Sequence, residues 1–436
     1  MSHARLSLMI VLLVGSAQAL AAQAPPAMSP LPPERLALAA IEHTPEVREA
    51  AAVLQRAEAE ARLRAAGPHE TVIQVIPQRR RVRGGPSFNE WEAEISRAVR
   101  WPGKARLDRA IGSHGVEVAQ LQLADAHHAG ARRLLALWSD WLRAAARASV
   151  RQRQVALWER DRKAIARRVT LGDAAQRDLL AADAELARSR ADALEADTVL
   201  QESRIRLLSR FPRLPLPERV PAGARPDALE GTPAGWVGTI LARSHEIGAA
   251  RARVKLLQAQ ARRVRADRLA DPTLGLRVLN DLGGRERAVG LVLSIPIGVR
   301  QRSAKAAAAA ADALEAQAWA AMVRRDVSRD AREAVTRARA AQAIWQRYAQ
   351  AARAATDSAA RIERAYSLGE SGLAELLTAR RTALEAQLSE QRARIDAIEA
   401  VARVRVDAHG LWHHHTGGSD VGGHAQGDSG LRLPDL

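Results

Sequence analysis

Histidine is the residue type in this sequence with the clearest capacity for chemistry. Five of the twelve histidines lie near the C-terminus, among Gly, Ser and Asp: His409, His413, His414, His415 and His424. Neutral imidazoles bind Zn, Cu, Ni or Co. No spacing in this segment defines a closed site. Weak metal capture, with His413, His414 and His415 as candidate ligands, and a merely solvated tail therefore both stay open.

Catalytic motifs are absent from the sequence. It has no Ser-His-Asp arrangement, no glycine loop for nucleotide phosphates and no His-Glu-x-x-His pattern. It contains no cysteine, which excludes disulfides, thiolate zinc sites and cysteine nucleophiles. The 47% hydrophobic content is carried mostly by alanine, and only 3% of residues are aromatic. This composition favours long helices with narrow apolar seams over a large core. We expect neither an enzyme nor a cofactor.

The net charge of +17 raises the question of a nucleic-acid partner. Most basic residues are arginines that alternate with Glu and Asp along helical stretches such as 185–195, which is typical of solvated helix faces. The one dense basic run, 79–83, stands beside a predicted turn and leaves a phosphate-binding alternative. We expect no nucleic-acid partner.

The elements that would position any site begin with a predicted leader. Residues 1–24 combine Arg5, an apolar run over 6–14 and small residues at 17–21, which is typical of a secretory signal peptide. We therefore expect an exported protein. No later stretch offers the roughly 18 uncharged apolar residues that a transmembrane helix needs.

An internal duplication organises the rest of the chain. Leu171-Gly172-Asp173 recurs as Leu368-Gly369-Glu370, and a Leu-Leu pair follows each turn at the same spacing. This predicts two repeats, 25–211 and 236–409, joined by a Pro/Gly-rich linker at 212–235 and followed by a flexible tail at 410–436.

Each repeat shows the same order of predicted elements, beginning with a helix. Alternating apolar residues then predict one β-hairpin per repeat, at 71–101 and 273–297, with strands long enough to cross a bilayer at a tilt. Two helical stretches follow in each repeat, namely 102–169 and 173–210 in the first, and 299–366 and 371–408 in the second. Leucines at heptad spacing predict coiled-coil packing of the returning helices.

The predicted fold class is mainly α with a small β part. Four strands cannot close a barrel, because an open sheet in lipid leaves edge hydrogen bonds unmet. Three chains would supply twelve strands, and their helical arms would form a tube below them.

The chain resembles the TolC-type outer-membrane efflux family in three features: this layout, the Leu-Gly turns and the strand end at 293–296. The resemblance spans about 31–409. The segment Trp101-Pro102-Gly103-Lys104 is similar to the Pro-Gly-Lys-Arg segment of the CzcC-like heavy-metal branch.

That resemblance implies a homotrimer with a twelve-stranded outer-membrane barrel and a periplasmic helical tunnel. Its implied partners are a periplasmic adaptor, an inner-membrane pump of the resistance-nodulation-division (RND) class and outer-membrane lipid. The adaptor would contact the tip turns, which consist of Leu171, Gly172, Asp173, Leu368, Gly369 and Glu370. The implied cargo is heavy-metal cations; efflux of drugs or organic compounds is the alternative, and a structural periplasmic coiled-coil protein is a further one.

In this family polar side chains, including carboxylates and a tyrosine, close the tunnel just inside the tip. On the resemblance, Tyr366 matches that tyrosine and Glu375 the first acidic position. Thr378 and Ser371 stand where a second acid and a basic residue would be. The gate of the family is therefore only partly present.

A third gate candidate, Asp178, follows from the duplication. Asp178 lies six residues after Gly172, as Glu375 does after Gly369. A trimer would place six such carboxylates at a similar height, where they would attract cations and resist full ionisation. Two ordinary surface acids remain the alternative.

Overall fold

The structure, a computed structural model, describes residues 30–81, 83–217 and 224–413. The predicted signal peptide, part of the linker, and the tail from His414 onward, including His415, lie outside the described residues. The first repeat contains α1 (Glu34–Glu42), α2 (Pro45–Ala66), β1 (Thr71–Arg81), β2 (Ser87–Ala98), α3 (Pro102–Thr170) and α4 (Gln176–Arg210). The second contains α5 (Pro233–Arg243), α6 (His245–Ala266), β3 (Thr273–Asp281), β4 (Glu286–Ser294), α7 (Val299–Ser367) and α8 (Leu373–Asp407).

The helix expected at the start of the first repeat is in fact two helices. α1 ends before Thr44, whose buried hydroxyl donates to the carbonyl of Ile41, and α2 begins at Pro45. Proline has no N–H to continue the preceding helix but is well placed at a first helical position. The second repeat has the same break at Ser244, whose Oγ accepts a hydrogen bond from the Ile247 N–H and so caps α6.

The long helices have equal lengths in the two repeats. α3 and α7 each contain 69 residues, and α4 and α8 each contain 35. At 1.5 Å per residue α3 and α7 each extend roughly 100 Å. No proline interrupts any of the four after the first position. Each long helix ends at a Leu-Gly turn, after which the chain returns as α4 or α8 along the helix it has just left.

The seams between these helices are narrow because alanine dominates their contacts. The buried residues of α7 are Ala306, Ala313, Ala316, Val327, Ala331, Val335, Ala338, Ala341, Ala349, Ala352 and Ala359. The steps between them are mostly of three, four or seven residues, which keeps one stripe of the helix against its neighbours. A wider core lies where α1 meets α3, around the buried Trp138 and Trp141.

One antiparallel sheet joins the two repeats at the opposite end of α3 and α7 from the Leu-Gly turns. Its strand order is β1-β2-β3-β4, so the central pairing of β2 with β3 connects one hairpin to the other. Ile73, Ile95, Leu276 and Leu291 form one row across all four strands. Within the described residues β1 and β4 are the edges of this sheet.

Residues 410–413 belong to the folded body and not to the tail predicted to begin at 410. Trp412 is 4% exposed, and its indole N–H donates to the carbonyl of Pro32. Gly410 caps α8 by donating its N–H to the carbonyl of Arg405. The sequence alone did not indicate this because the apolar pair 411–412 is isolated among polar residues.

Among the described residues, no helix is both long enough and apolar enough to cross a membrane.

Candidate functional site

One face of the four-stranded sheet is apolar and open to the surroundings. Directly opposed residues of an antiparallel sheet lie on the same face, so the strand register places the following together: Ile73, Val75, Trp91, Ile95, Leu274, Leu276, Val289, Leu291 and Leu293. Leu291 is 89% exposed and Val289 is 71% exposed. The predicted outward residues Trp91, Ile95, Leu291 and Leu293 all belong to this face. An apolar surface of this kind marks an interaction with lipid or protein.

The other face of the sheet carries charged side chains that bond to one another. Glu90 is 3% exposed and accepts hydrogen bonds from Gln78, at 3.0 Å, and from the Leu282 N–H, at 3.1 Å. Arg277 forms a bidentate pair with Glu92, with N···O distances of 2.6 and 2.7 Å. The sheet therefore separates an apolar side from a polar side.

Lys104, from the segment that suggested the heavy-metal branch, has a structural role where the sheet meets the helices. Its side chain is 3% exposed, and its ammonium group donates to the Leu269 carbonyl at 2.6 Å. It lies 2.9 Å from an Asp267 oxygen and 2.8 Å from an Asp271 oxygen. Burial opposes ionisation of Asp271, but the hydrogen bonds from Lys104 and His69 outweigh it and lower the pKa of this carboxyl. The segment thus connects the start of α3 to the connector between α6 and β3.

The two Leu-Gly turns have the same backbone conformation. Gly172 has φ +78° and Gly369 has φ +80°, in the left-handed region that favours glycine. Leu171 is 72% exposed and Leu368 is 65% exposed. No atom would lie within 4 Å of a Cβ at either glycine. The tip candidates Leu171 to Asp173 and Leu368 to Glu370 are therefore accessible to a partner.

The two helical hairpins contact each other behind these turns through a small apolar cluster and a buried arginine. Leu373 and Leu376 of α8 pack with Ile165 of α3. Arg380 is 8% exposed, pairs with Asp161 of α3 and lies 3.0 Å from Glu363 of α7. Burial and the neighbouring Arg160 lower the pKa of Arg380 to about 10, so it remains charged at neutral pH.

Sequence reasoning did not select Arg380, although the sequence carries a signal for it. Leu373, Leu376, Arg380 and Ala383 follow one another at steps of three and four, and all four are buried. An arginine on an otherwise apolar helical stripe needs a buried partner, so its position in the sequence would have predicted a carboxylate opposite it.

The predicted gate residues all lie in this tip region. Tyr366 is half-buried, with the Arg168 guanidinium 5.4 Å from its ring centroid. Asp178 lies in the first turn of α4, and Glu375 lies in the first turn of α8, where it accepts a hydrogen bond from the Ser371 hydroxyl at 2.8 Å. One chain thus has an acid at the same position of each returning helix.

Three histidines from two distant parts of the sequence meet beside the end of α8. One ring nitrogen from each of His245, His409 and His413 lies within 4.8 Å of the others. The ring centroids of His245 and His409 are 4.5 Å apart, and those of His409 and His413 are 4.3 Å apart. His128 approaches His409 edge-on, at 5.2 Å. Of the three predicted metal candidates, only His413 lies among the described residues.

The environment keeps two of these imidazoles neutral. Burial, together with nearby His413 and His128, lowers the pKa of His245 to about 4. Burial and the neighbouring His245 and His413 lower the pKa of His409 to about 3. Neutral imidazole is the form that binds transition metals.

Comparison with known proteins identifies the fold. No protein-family model and no curated protein sequence matches the chain. Among solved structures, the outer membrane protein VceC from Vibrio cholerae superposes with a TM-score of 0.70 at 18% identity, covering 86% of this chain and 95% of VceC. The outer membrane channel MtrE of Neisseria gonorrhoeae superposes with a TM-score of 0.69 at 20% identity, covering 86% and 88%. The outer membrane channel CmeC of Campylobacter jejuni gives 0.70 at 13% identity, covering 86% and 85%.

The chain therefore has the TolC-type fold of these outer membrane channels. This confirms, for the fold, the resemblance drawn from the sequence, and it confirms the mainly helical class with two β-hairpins on long paired helices.

Proposed function

We propose that this protein is the outer-membrane channel of a tripartite efflux system of the RND type. The observation that carries this proposal is the sheet. It has one apolar exposed face and one polar face, and two of its edges are unpaired within the described chain. It lies at the end of helices that are roughly 100 Å long. Only another sheet edge can satisfy those edges in lipid. Three chains would close a barrel of twelve strands, with the apolar face toward lipid and the polar face toward the lumen.

In this proposal the tip turns contact a periplasmic adaptor, and an inner-membrane pump supplies the cargo. The accessibility of Leu171 and Leu368 and the left-handed glycines beside them support adaptor contact there. Tyr366, Asp178 and Glu375, behind the turns, are the proposed gate.

Heavy-metal cations are the cargo that we propose, and drugs or other organic compounds are the alternative. The metal proposal rests on the resemblance of residues 101–104 to the heavy-metal branch. Lys104 itself is occupied in connecting α3 to the second repeat, so we propose no cargo contact for its side chain.

Cell fractionation tests the channel assignment most directly. We expect the protein in the outer membrane, as a trimer on an unheated denaturing gel and as a monomer after heating. Recovery of the full-length protein as a soluble periplasmic monomer would contradict the assignment. To separate the two cargo classes, the gene is deleted and growth is compared on Zn²⁺, Co²⁺ and Cu²⁺ salts and on hydrophobic drugs; sensitivity to drugs alone would reject the metal proposal.

A further inference from the structure

We infer that His245, His409 and His413 form a binding site for one late first-row divalent metal ion, on the helical body and away from both the sheet and the tip. The inference does not depend on the proposed channel function, since it concerns binding to the purified chain. The site joins the end of α8, the start of α6 and the segment after α8.

The ligand geometry is close to what such an ion needs. Zinc binds imidazole nitrogen at about 2.0–2.1 Å, so tetrahedral ligands lie about 3.4 Å apart. The three nitrogens here are within 4.8 Å of one another. The rings of His409 and His413 stack nearly parallel, so binding requires them to turn about their side-chain bonds until one nitrogen of each points at the ion. Three protein ligands leave a fourth position for water.

The backbone holds these three residues together from separate directions. His245 is the first residue of α6, and the preceding Ser244 caps that helix. His409 adopts φ +57° just after α8, where the Arg243 guanidinium donates to the Ala408 carbonyl at 2.9 Å. The burial of Trp412 fixes the chain next to His413. The arrangement is therefore part of the fold and not an accident of a solvated tail.

Nearby charges leave the imidazoles as the ligands. The carboxylate of Asp407 lies 2.7 Å from Arg132 and 2.9 Å from Arg403, and Arg132 also pairs with Glu246 at 2.8 Å. Asp407 and Glu246 are engaged by guanidinium groups, and the three potential ligand atoms that come together are all imidazole nitrogens. The C-terminus of α8 and the N-terminus of α6 both lie at the site. Their helix dipoles place partial charges of opposite sign there, so their effects on a bound cation oppose each other. A nitrogen ligand set suits Zn²⁺, Co²⁺, Ni²⁺ and Cu²⁺ better than Mg²⁺ or Ca²⁺.

His128 completes the surroundings without being needed as a ligand. Its Nε2 lies 3.5 Å from an Asp407 oxygen, and its ring contacts His409 edge-on. His128 therefore packs beside the proposed ligand His409 while its own ring nitrogen faces Asp407.

Titration of the purified full-length protein with Co²⁺ tests the site, using protein without a polyhistidine tag and in whatever oligomeric state it adopts. We expect one Co²⁺ per chain by calorimetry, with visible d–d absorption of nitrogen coordination. Loss of an outer-shell partner typically weakens metal binding about 10–100-fold, so loss of a ligand should weaken it at least about tenfold. His245→Ala and His409→Asn test this; Asn is chosen at 409 because it tolerates the left-handed backbone.

Two controls make the result decisive. His43→Ala changes an exposed histidine outside the cluster and should bind Co²⁺ as the wild type does. Simultaneous replacement of His414, His415 and His424 by Ala removes the tail imidazoles and should also leave binding intact. Added Zn²⁺ should raise the melting temperature of the wild type and of both controls but not of His245→Ala. The inference fails if the wild type binds no Co²⁺, if both site variants bind it unchanged, or if the tail variant alone abolishes binding.

Discussion

The left-handed backbone at Gly172 and Gly369 makes the tip turns sensitive to side chains at the residue scale. A β-branched residue there is strained by roughly 1–2 kcal/mol, although the surrounding space is open. We expect Gly369→Val combined with Gly172→Val to abolish adaptor-dependent efflux while trimers persist, as measured by growth on the cargo and by unheated gels.

Gly372 provides the matched control for that experiment. It lies in the same turn as Gly369, also faces open space and has φ −85°, which any residue adopts. Gly372→Val should keep efflux close to that of the wild type. If the double variant at Gly172 and Gly369 exports as well as Gly372→Val does, adaptor contact does not require the left-handed backbone of the turns.

The acids Asp178 and Glu375 lead to a prediction about ions. If three copies of each face one constriction, their mutual repulsion favours bound cations. We expect Asp178→Asn with Glu375→Gln to weaken block by multivalent cations about tenfold in planar-bilayer recordings, since two rings of charge disappear. Glu195 is the control acid, because its side chain is 63% exposed and pairs with Arg147 across α3 and α4. Equal block in the double variant and the wild type would place the gate elsewhere.

Arg380 is the residue whose loss should affect stability most at the tip. Its removal leaves the carboxylates of Asp161 and Glu363 without their shared partner. Breaking a buried ion pair typically costs about 3–5 kcal/mol, and the exposed Glu363 places this one toward the lower end. We expect Arg380→Met to lower the melting temperature of the purified protein, as measured by thermal unfolding followed by circular dichroism. An unchanged melting temperature would mean that the cluster of Leu373 and Leu376 alone holds the hairpins together.

At the scale of elements, the two faces of β4 should respond oppositely to charge. Leu291 and Leu293 lie on the apolar face, where arginine at mid-depth in a bilayer costs about 2–4 kcal/mol each. We expect Leu291→Arg with Leu293→Arg to abolish outer-membrane assembly, as measured by fractionation. Val292 lies between them at the same depth on the polar face, so the Val292→Arg variant should assemble normally. Normal assembly of the double variant would rule out contact of this face with lipid.

The elements were also the part of the molecule that the sequence predicted best. Long helical periodicity without internal proline predicts helices, and Pro102 and the Leu-Gly turns mark their ends in the sequence. Alternation predicts the hairpins for the same local reason. The histidine cluster could not be predicted in this way. His245 and His409 are distant in the sequence, and the packing of α6 against α3 and α7 brings His245 to the end of α8.

At the scale of the whole molecule, closure of the barrel predicts contact between β1 of one chain and β4 of the next. The chain contains no cysteine, so introduced thiols can be assigned without ambiguity. Gln74 and Gly290 lie in one row at opposite edges of the sheet. We expect Gln74→Cys with Gly290→Cys to give linked trimers with a flexible thiol cross-linker, whereas each single variant stays monomeric on a heated gel. If membranes that contain the double variant yield monomers and no linked trimers, the proposed barrel is contradicted.

The pairing of β2 with β3 also sets an order of events in time. Roughly 175 residues separate these strands, and at about 5–20 residues per second their synthesis takes roughly 10–35 s. During that interval β2 has an unpaired edge, and the first hairpin exposes Ile73, Val75 and Ile95 with no second hairpin beside it. Such a segment is prone to aggregate. We therefore expect the newly made chain to be most prone to aggregate in the interval before the second hairpin is made.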